Sequence, residues 1–369
     1  MNAECAKGSQ RARRRILRGM SRLPLLFAAF IVAACVSVAQ QGAGVAPSAG
    51  PYKVLKTVKV GGEGGWDYVT ADSEARRLYV ARSGPAGSLH VYDLDTFAQV
   101  GEIPGVSAHG AVVDEKYHHG FATSKPVVMF DANTLAVLKT LDVHGNPDGY
   151  VADPADHRVY VLSHSSPNIT VVNAADGAVI GTVDIGGEPE QSVLDGRGHL
   201  FSDIEDKGAI AVVDTKTLKL VNTYDLAAQG GGTGCAGLAY DSEHKLLFAS
   251  CREKKLMVVV NALTGKVVAL LPNGAGTDGE AYSAATGEVF SSQGDGTLTI
   301  YKAKSATEVA LEQTVAMPLR ARTITLDAKT GRLITVTAEF GAAPAAVAGA
   351  RAARPPMVAG TFSIIVVGK

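Results

Sequence analysis

A short unit recurs seven times along this chain, and no other feature restricts its fold as much. An apolar strand ends in Asp, a polar turn follows, and the chain resumes with a small or aliphatic residue and then an aromatic or aliphatic one. It reads DSEARRLY from Asp72, DEKYHHGF from Asp114, DPADHRVY from Asp153 and DSEHKLLF from Asp241. SAATGEVF from Ser283 and DAKTGRLI from Asp327 keep the length, and DGRGHLF from Asp195 is one residue shorter. The seven anchors are 42, 39, 42, 46, 42 and 44 residues apart. After each unit come a loop, a β-branched strand, a turn and another strand, as in ITVVNAADGAVIGTVDI (169–185) and IAVVDTKTLKLVNTYDL (210–226). Alternating apolar residues between Asn, Asp, Thr and Gly turns are hairpin signals. Four strands per forty-odd residues is the period of a propeller blade, whereas a helical repeat would show 3.6-residue spacing. The spacing predicts an all-β, seven-bladed β-propeller of four-stranded blades.

The last repeat supplies only three strands, its third being Phe362–Val367. Tyr52–Val60 (YKVLKTVKV) reads like the fourth strand of the other blades. An N-terminal strand that completes the last blade closes the ring and removes sheet edges that would otherwise invite aggregation. A length prior of about 150 residues per domain suggests two domains, but the repeats fill the chain as one domain over 51–369. A hydrophobic content of 46% excludes a largely disordered chain.

Residues 1–39 precede this body. They carry seven basic residues and one acid; without them the balance is 28 basic to 35 acidic, a net charge of −7. The 17-residue apolar run Leu23–Ala39 follows the Arg-rich stretch. It is short for a membrane span and fits a signal peptide. Ser37-Val38-Ala39 offers a cleavage site. Val32-Ala33-Ala34-Cys35 resembles a lipobox with lipidation at Cys35, and Arg13-Arg14-Arg15 loosely resembles a twin-arginine signal. Met20 as the true start leaves an ordinary short signal, and a retained anchor is the alternative. The expected protein is periplasmic or secreted, monomeric, with a flexible linker at 40–50 and no transmembrane segment in the mature chain.

The repeat pattern, the Gly145-Asn146-Pro147-Asp148-Gly149 entry and the KTVKVGG close at 56–62 resemble the YncE-like, YVTN-repeat family of seven-bladed propellers. The likeness covers nearly all of the body. It implies a bacterial, exported protein and, from the founding member, single-stranded DNA binding. It brings no catalytic motif. The acidic body, an aromatic content of 6% and a single Trp argue against a DNA groove, which needs cations and stacking rings.

In a propeller the loops entering the first strands and those joining the second and third strands open on one face, where ligands gather round the axis. Five residues before each anchor stand Asp67, His109, Asp148, Glu190, Ala236, Asp278 and Arg322. Trp66, Glu280 and Arg320 flank them. This ring is the candidate site for a small molecule, peptide or protein. Equally, acidic residues at such entries cap turns in water. His109, His144 and His164, with Asp148 and Glu190, make a candidate set for a divalent cation, although no fixed metal motif is present. A lactonase-type, metal-dependent hydrolase is a further alternative, with no nucleophile motif to support it. His118, His119, His157, His199 and His244 fall at the opposite mouth and read as turn residues inherited with the repeat. Cys235 and Cys251 are expected to face each other across a hairpin as a disulfide; a free thiol pair and a metal site are the alternatives. The Ala/Pro-rich stretch 339–360 is an insertion in the seventh blade.

Overall fold

A computed structural model of the chain describes residues 45–84, 86–342 and 355–369. The leader, Cys35 and residues 40–44 of the linker lie outside the described residues, as do Arg351 and Arg354 of the insertion. Among the described residues the strands form seven antiparallel sheets of four. One 3-10 turn occurs, at Glu205–Lys207. No helix among them is long and apolar enough to cross a membrane.

Blade three shows why the sequence folds this way. Its strands are Pro147–Asp153, Arg158–Ser163, Ile169–Asn173 and Val179–Val183, paired in that order from the axis outward. The second and third are almost wholly buried, because a neighbouring blade covers each face. They are accordingly near-continuous apolar runs. The fourth strand, on the rim, is mostly exposed. At the anchor, Asp153 Oδ1 accepts the Ala155 N–H at 2.9 Å, which fixes the turn between the first two strands.

The core is divided among the seven interfaces between blades. Leu78, Val80 and Tyr92 of blade one pack on Ile334, Val336 and Ile364 of blade seven. Tyr160, Leu162 and Val171 of blade three pack on Leu200, Ala211 and Val213 of blade four. Each such side chain contributes roughly 1.5–3 kcal/mol on burial. A lone blade has nothing to bury against, so the blades stand or fall together.

Blade seven is built from both ends of the chain. Lys53–Lys59 pairs antiparallel with Ser363–Gly368, from Lys53↔Gly368 to Lys59↔Ser363, outside Arg332–Thr337 and Ile324–Asp327. Ser48, within the stretch expected to be a flexible linker, donates its backbone N–H to the Thr314 carbonyl at 2.8 Å on the rim of blade six. Cys235 and Cys251 pair directly across the first two strands of blade five and are joined as a disulfide. The insertion leaves blade seven as a short two-stranded stem: Phe340 bridges Met357, and Gly341 N–H donates to the Pro356 carbonyl at 2.9 Å.

Candidate functional site

The first strands of blades one, three, four, five and six share one irregularity. Each loses register with the second strand at the same place: between Trp66 and Val69, Pro147 and Tyr150, Pro189 and Ser192, Cys235 and Leu238, and Thr277 and Glu280. The residues inside these breaks are Asp67-Tyr68, Asp148-Gly149, Glu190-Gln191, Ala236-Gly237 and Asp278-Gly279. A bulge redirects side chains that a regular ladder would turn into the blade. His109-Gly110 occupies the same place in blade two. Two of the glycines are required by close approach. A Cβ on Gly110 would stand 2.3 Å from the Tyr150 ring, and one on Gly149 would stand 2.5 Å from the Glu190 carbonyl oxygen.

Three bulge residues, Asp67, Asp148 and Glu190, come together with His109. His109 Nδ1 lies 2.9 Å from Asp67 Oδ2 and 3.2 Å from Asp148 Oδ1. His164 Nε2, from the loop after the second strand of blade three, lies 3.2 Å from Asp148 Oδ2 and 3.8 Å from Glu190 Oε1. Asp148 is thus the shared member of two triads, Asp67–His109–Asp148 and Asp148–His164–Glu190. It is only 8% exposed. Although Asp148 Oδ1 and His164 Nε2 are close to polar neighbours, neither makes an aligned hydrogen bond. Within each triad the closest donors stand 2.9 to 3.2 Å apart, near the roughly 3.3 Å that a four-coordinate ion with ligands at about 2.0–2.2 Å sets between its donors.

Side chains from the same strands also link the blades to one another. Tyr68 of blade one crosses the axis and donates to Glu190 of blade four, at 3.1 Å to Oε2 and 3.2 Å to the carbonyl. Its ring packs edge-on against Tyr150 at 5.5 Å, and Tyr150 Oη lies 2.6 Å from Thr70 Oγ1. Gln191 Oε1 accepts the Leu238 and Glu280 N–H groups at 3.1 and 3.0 Å, tying blades four, five and six.

Crowding carboxyls into this mouth shifts their protonation. Burial, with Asp148 and Glu205 nearby, pushes the Glu190 carboxyl far above the usual range. Burial also raises Asp148, against the pull of His109. The hydrogen bond to Asp67 raises the His109 imidazole. Burial lifts Asp278 to about 6, although Arg322 and Arg252 pull the other way.

The other half of the mouth is basic. Arg322 Nη1 lies 2.7 Å from Asp278 Oδ2. Arg252 binds Asp278, the Thr277 carbonyl at 2.7 Å and Glu205 Oε1 at 2.5 Å. Arg320 lays its guanidinium over the Phe340 ring, 4.0 Å from the centroid. Trp66 contacts Phe340 and Phe362, with ring centroids 6.1 and 5.1 Å apart. Its indole and the two arginines border a cavity of about 330 Å³.

Three expected positions stand apart from these groups. Ala236 is buried. Glu280 is 3% exposed and turned beneath Gly237, where a Cβ would meet its Cγ at 3.0 Å, so it does not reach the mouth. His144 is exposed on the loop before blade three and belongs to neither triad.

Glu205, Arg252 and Tyr68 were not among the expected residues. Glu205 and Arg252 hold the place of His164 in their blades, directly after the second strand. Counting eleven residues past each anchor, ten in the short fourth repeat, finds all three. Tyr68 carries no such signal, since an aromatic beside a bulge reads as core.

At the opposite mouth the histidines bind the anchors. His157 Nδ1 lies 3.0 Å from Asp114 Oδ2 of the previous blade, His199 Nδ1 2.8 Å from Asp195, and His244 Nδ1 2.7 Å from Asp241. His119 Nδ1 lies 2.8 Å from the Ala174 carbonyl.

No protein-family model matches the sequence, and no curated protein matches it. Among solved structures, a chain in a crystal structure of the mitotic checkpoint complex is similar, with a TM-score of 0.65 and 15% identity over 85% of this chain and 95% of that one. At that identity the likeness concerns the fold, and propellers of one shape serve many functions.

Proposed function

We propose that this protein is an exported binding propeller whose axial mouth takes a divalent transition-metal ion through Asp67, His109, Asp148, His164 and Glu190. The observation that carries this reading is Asp148. It is buried between two imidazoles, each 3.2 Å away, and its Oδ1 makes no aligned hydrogen bond. A mixed imidazole and carboxylate set suits zinc, nickel or copper better than calcium or magnesium, which prefer oxygen alone. Asp67, Asp148 and Glu190 come from bulged first strands, and His109 and His164 from the loops beside them. The arrangement supports a role in binding or as a scaffold, with the ion fixed or presented at the face where partners would dock.

The repeat signature supports placing the chain with YncE-like propellers. The disulfide, together with the leader, supports an oxidising compartment. Single-stranded DNA is disfavoured, because the body after residue 39 carries a net charge of −7 and the chain is only 6% aromatic.

The test is isothermal titration of the EDTA-treated protein with zinc, nickel and calcium salts. The proposal expects saturable binding of zinc or nickel, little of calcium, and loss of binding in Asp148→Asn. Equal binding by the Asp148→Asn variant would refute the site.

A further inference from the structure

We infer that the basic half of the mouth is a separate subsite, between blades seven and one, that takes the carboxylate of a small aromatic acid. The cavity of about 330 Å³ is lined by Gly65, Trp66, Arg320, Arg322, Phe340 and Pro355. That volume lies at the lower end of the range for small-molecule sites and is too confined for a folded partner. Every polar side chain on its wall is a hydrogen-bond donor: two guanidiniums and one indole N–H.

The donors are also under-used. Arg320 makes no side-chain hydrogen bond or ion pair among the described residues, although its backbone is anchored by N–H donation to the Gly294 carbonyl at 2.9 Å. Its φ of 64° is uncommon for a residue other than glycine, and it directs the side chain onto the Phe340 face. The Trp66 Nε1–H is buried and finds no acceptor among the described residues. Arg322 gives one nitrogen to Asp278, which Arg252 already engages.

A planar anion satisfies the guanidiniums. Its carboxylate would bridge the guanidiniums, whose forks match carboxylate geometry. Its ring would lie against Trp66 and Phe340, which supply apolar faces.

Trp66 is the single tryptophan of the chain, so its fluorescence reports on this pocket alone. The experiment titrates the full chain, held in EDTA so that metal plays no part, with benzoate and with benzyl alcohol, its neutral counterpart. We expect a saturable change in Trp66 emission with benzoate and none with benzyl alcohol. Arg320→Gln, with its melting temperature unchanged, should weaken benzoate about tenfold or more. The inference is overturned if benzoate gives no saturable change, if benzyl alcohol matches it, or if a folded Arg320→Gln variant binds benzoate as the parent does. Because EDTA is present throughout, failure here leaves the cation reading untouched, and the reverse holds.

Discussion

The Tyr68 hydroxyl donates to Glu190 across the propeller axis, 3.1 Å from Oε2 and 3.2 Å from the carbonyl, and so joins blade one to blade four. The same carboxyl faces His164, whose Nε2 lies 3.8 Å from Oε1. Tyr68→Phe removes the donor and leaves a buried carboxyl short of a partner. The expected cost is about 1–3 kcal/mol, read as a lower urea midpoint with an unchanged slope. Metal binding should persist, because Tyr68 is not a ligand.

The Gly149→Ala substitution tests the packing that makes this crossing possible. The added methyl would stand 2.5 Å from the Glu190 carbonyl, 2.9 Å from Leu162 Cδ1 and 3.2 Å from Tyr68 Oη. Backbone cannot yield so far without moving a neighbouring blade. The variant should lose roughly 1–3 kcal/mol in denaturant unfolding. An unchanged midpoint would show that blades three and four are not in contact as described.

Arg76 of blade one and Asp327 of blade seven pair across the interface between those blades, with contacts of 2.8 and 2.9 Å. Among the lowering influences on Asp327 the hydrogen bond from Arg76 is the largest; these together outweigh burial and hold the carboxyl at about 2, below its ordinary 3.8. A depressed carboxyl contributes stability that is fully present above its unfolded value and disappears as pH falls through the folded one. Asp327→Asn should therefore destabilise the protein by about 2 kcal/mol near neutrality. Its difference from the parent should shrink as pH drops from about 4 towards 2. A difference that is independent of pH across that window would contradict the pairing.

The disulfide closes a short loop, with its cysteines 16 residues apart. For a loop of that size the unfolded chain loses conformational freedom worth about 3 kcal/mol. Reduction with dithiothreitol, or a Cys235→Ser, Cys251→Ser double variant, should lower the melting temperature by several degrees. Labelling of Cys235 and Cys251 as free thiols in the untreated protein would contradict the bond.

The fold was legible because a blade's four strands repeat at one spacing, and the anchor Asp and its turn mark each repeat. The shared blade was legible because blade seven lacks a strand that Tyr52–Val60 resembles. The site was legible only in part. Counting back five residues finds Asp67, His109, Asp148 and Glu190, since the bulge recurs at that offset. Glu280 was misplaced because it is the first residue to resume the ladder with Ser291, so its side chain goes into the blade and not the channel. His144 was misplaced because the loop before Pro147 leaves it in solvent. Glu205 and Arg252 lie in a second loop set whose offset was not counted. Tyr68 reaches 122 residues along the chain, a distance that no local pattern encodes.

The measurement that bears most directly on the account is calorimetric titration of zinc into the EDTA-treated full chain, run beside His109→Ala, Asp148→Asn and His164→Ala. The account predicts one saturable equivalent per chain, weakened by each substitution and most by Asp148→Asn, which serves both triads. Absence of saturable binding in the parent, or binding indifferent to all three changes, would mean that the mouth is a self-paired polar network and that the cation reading is wrong.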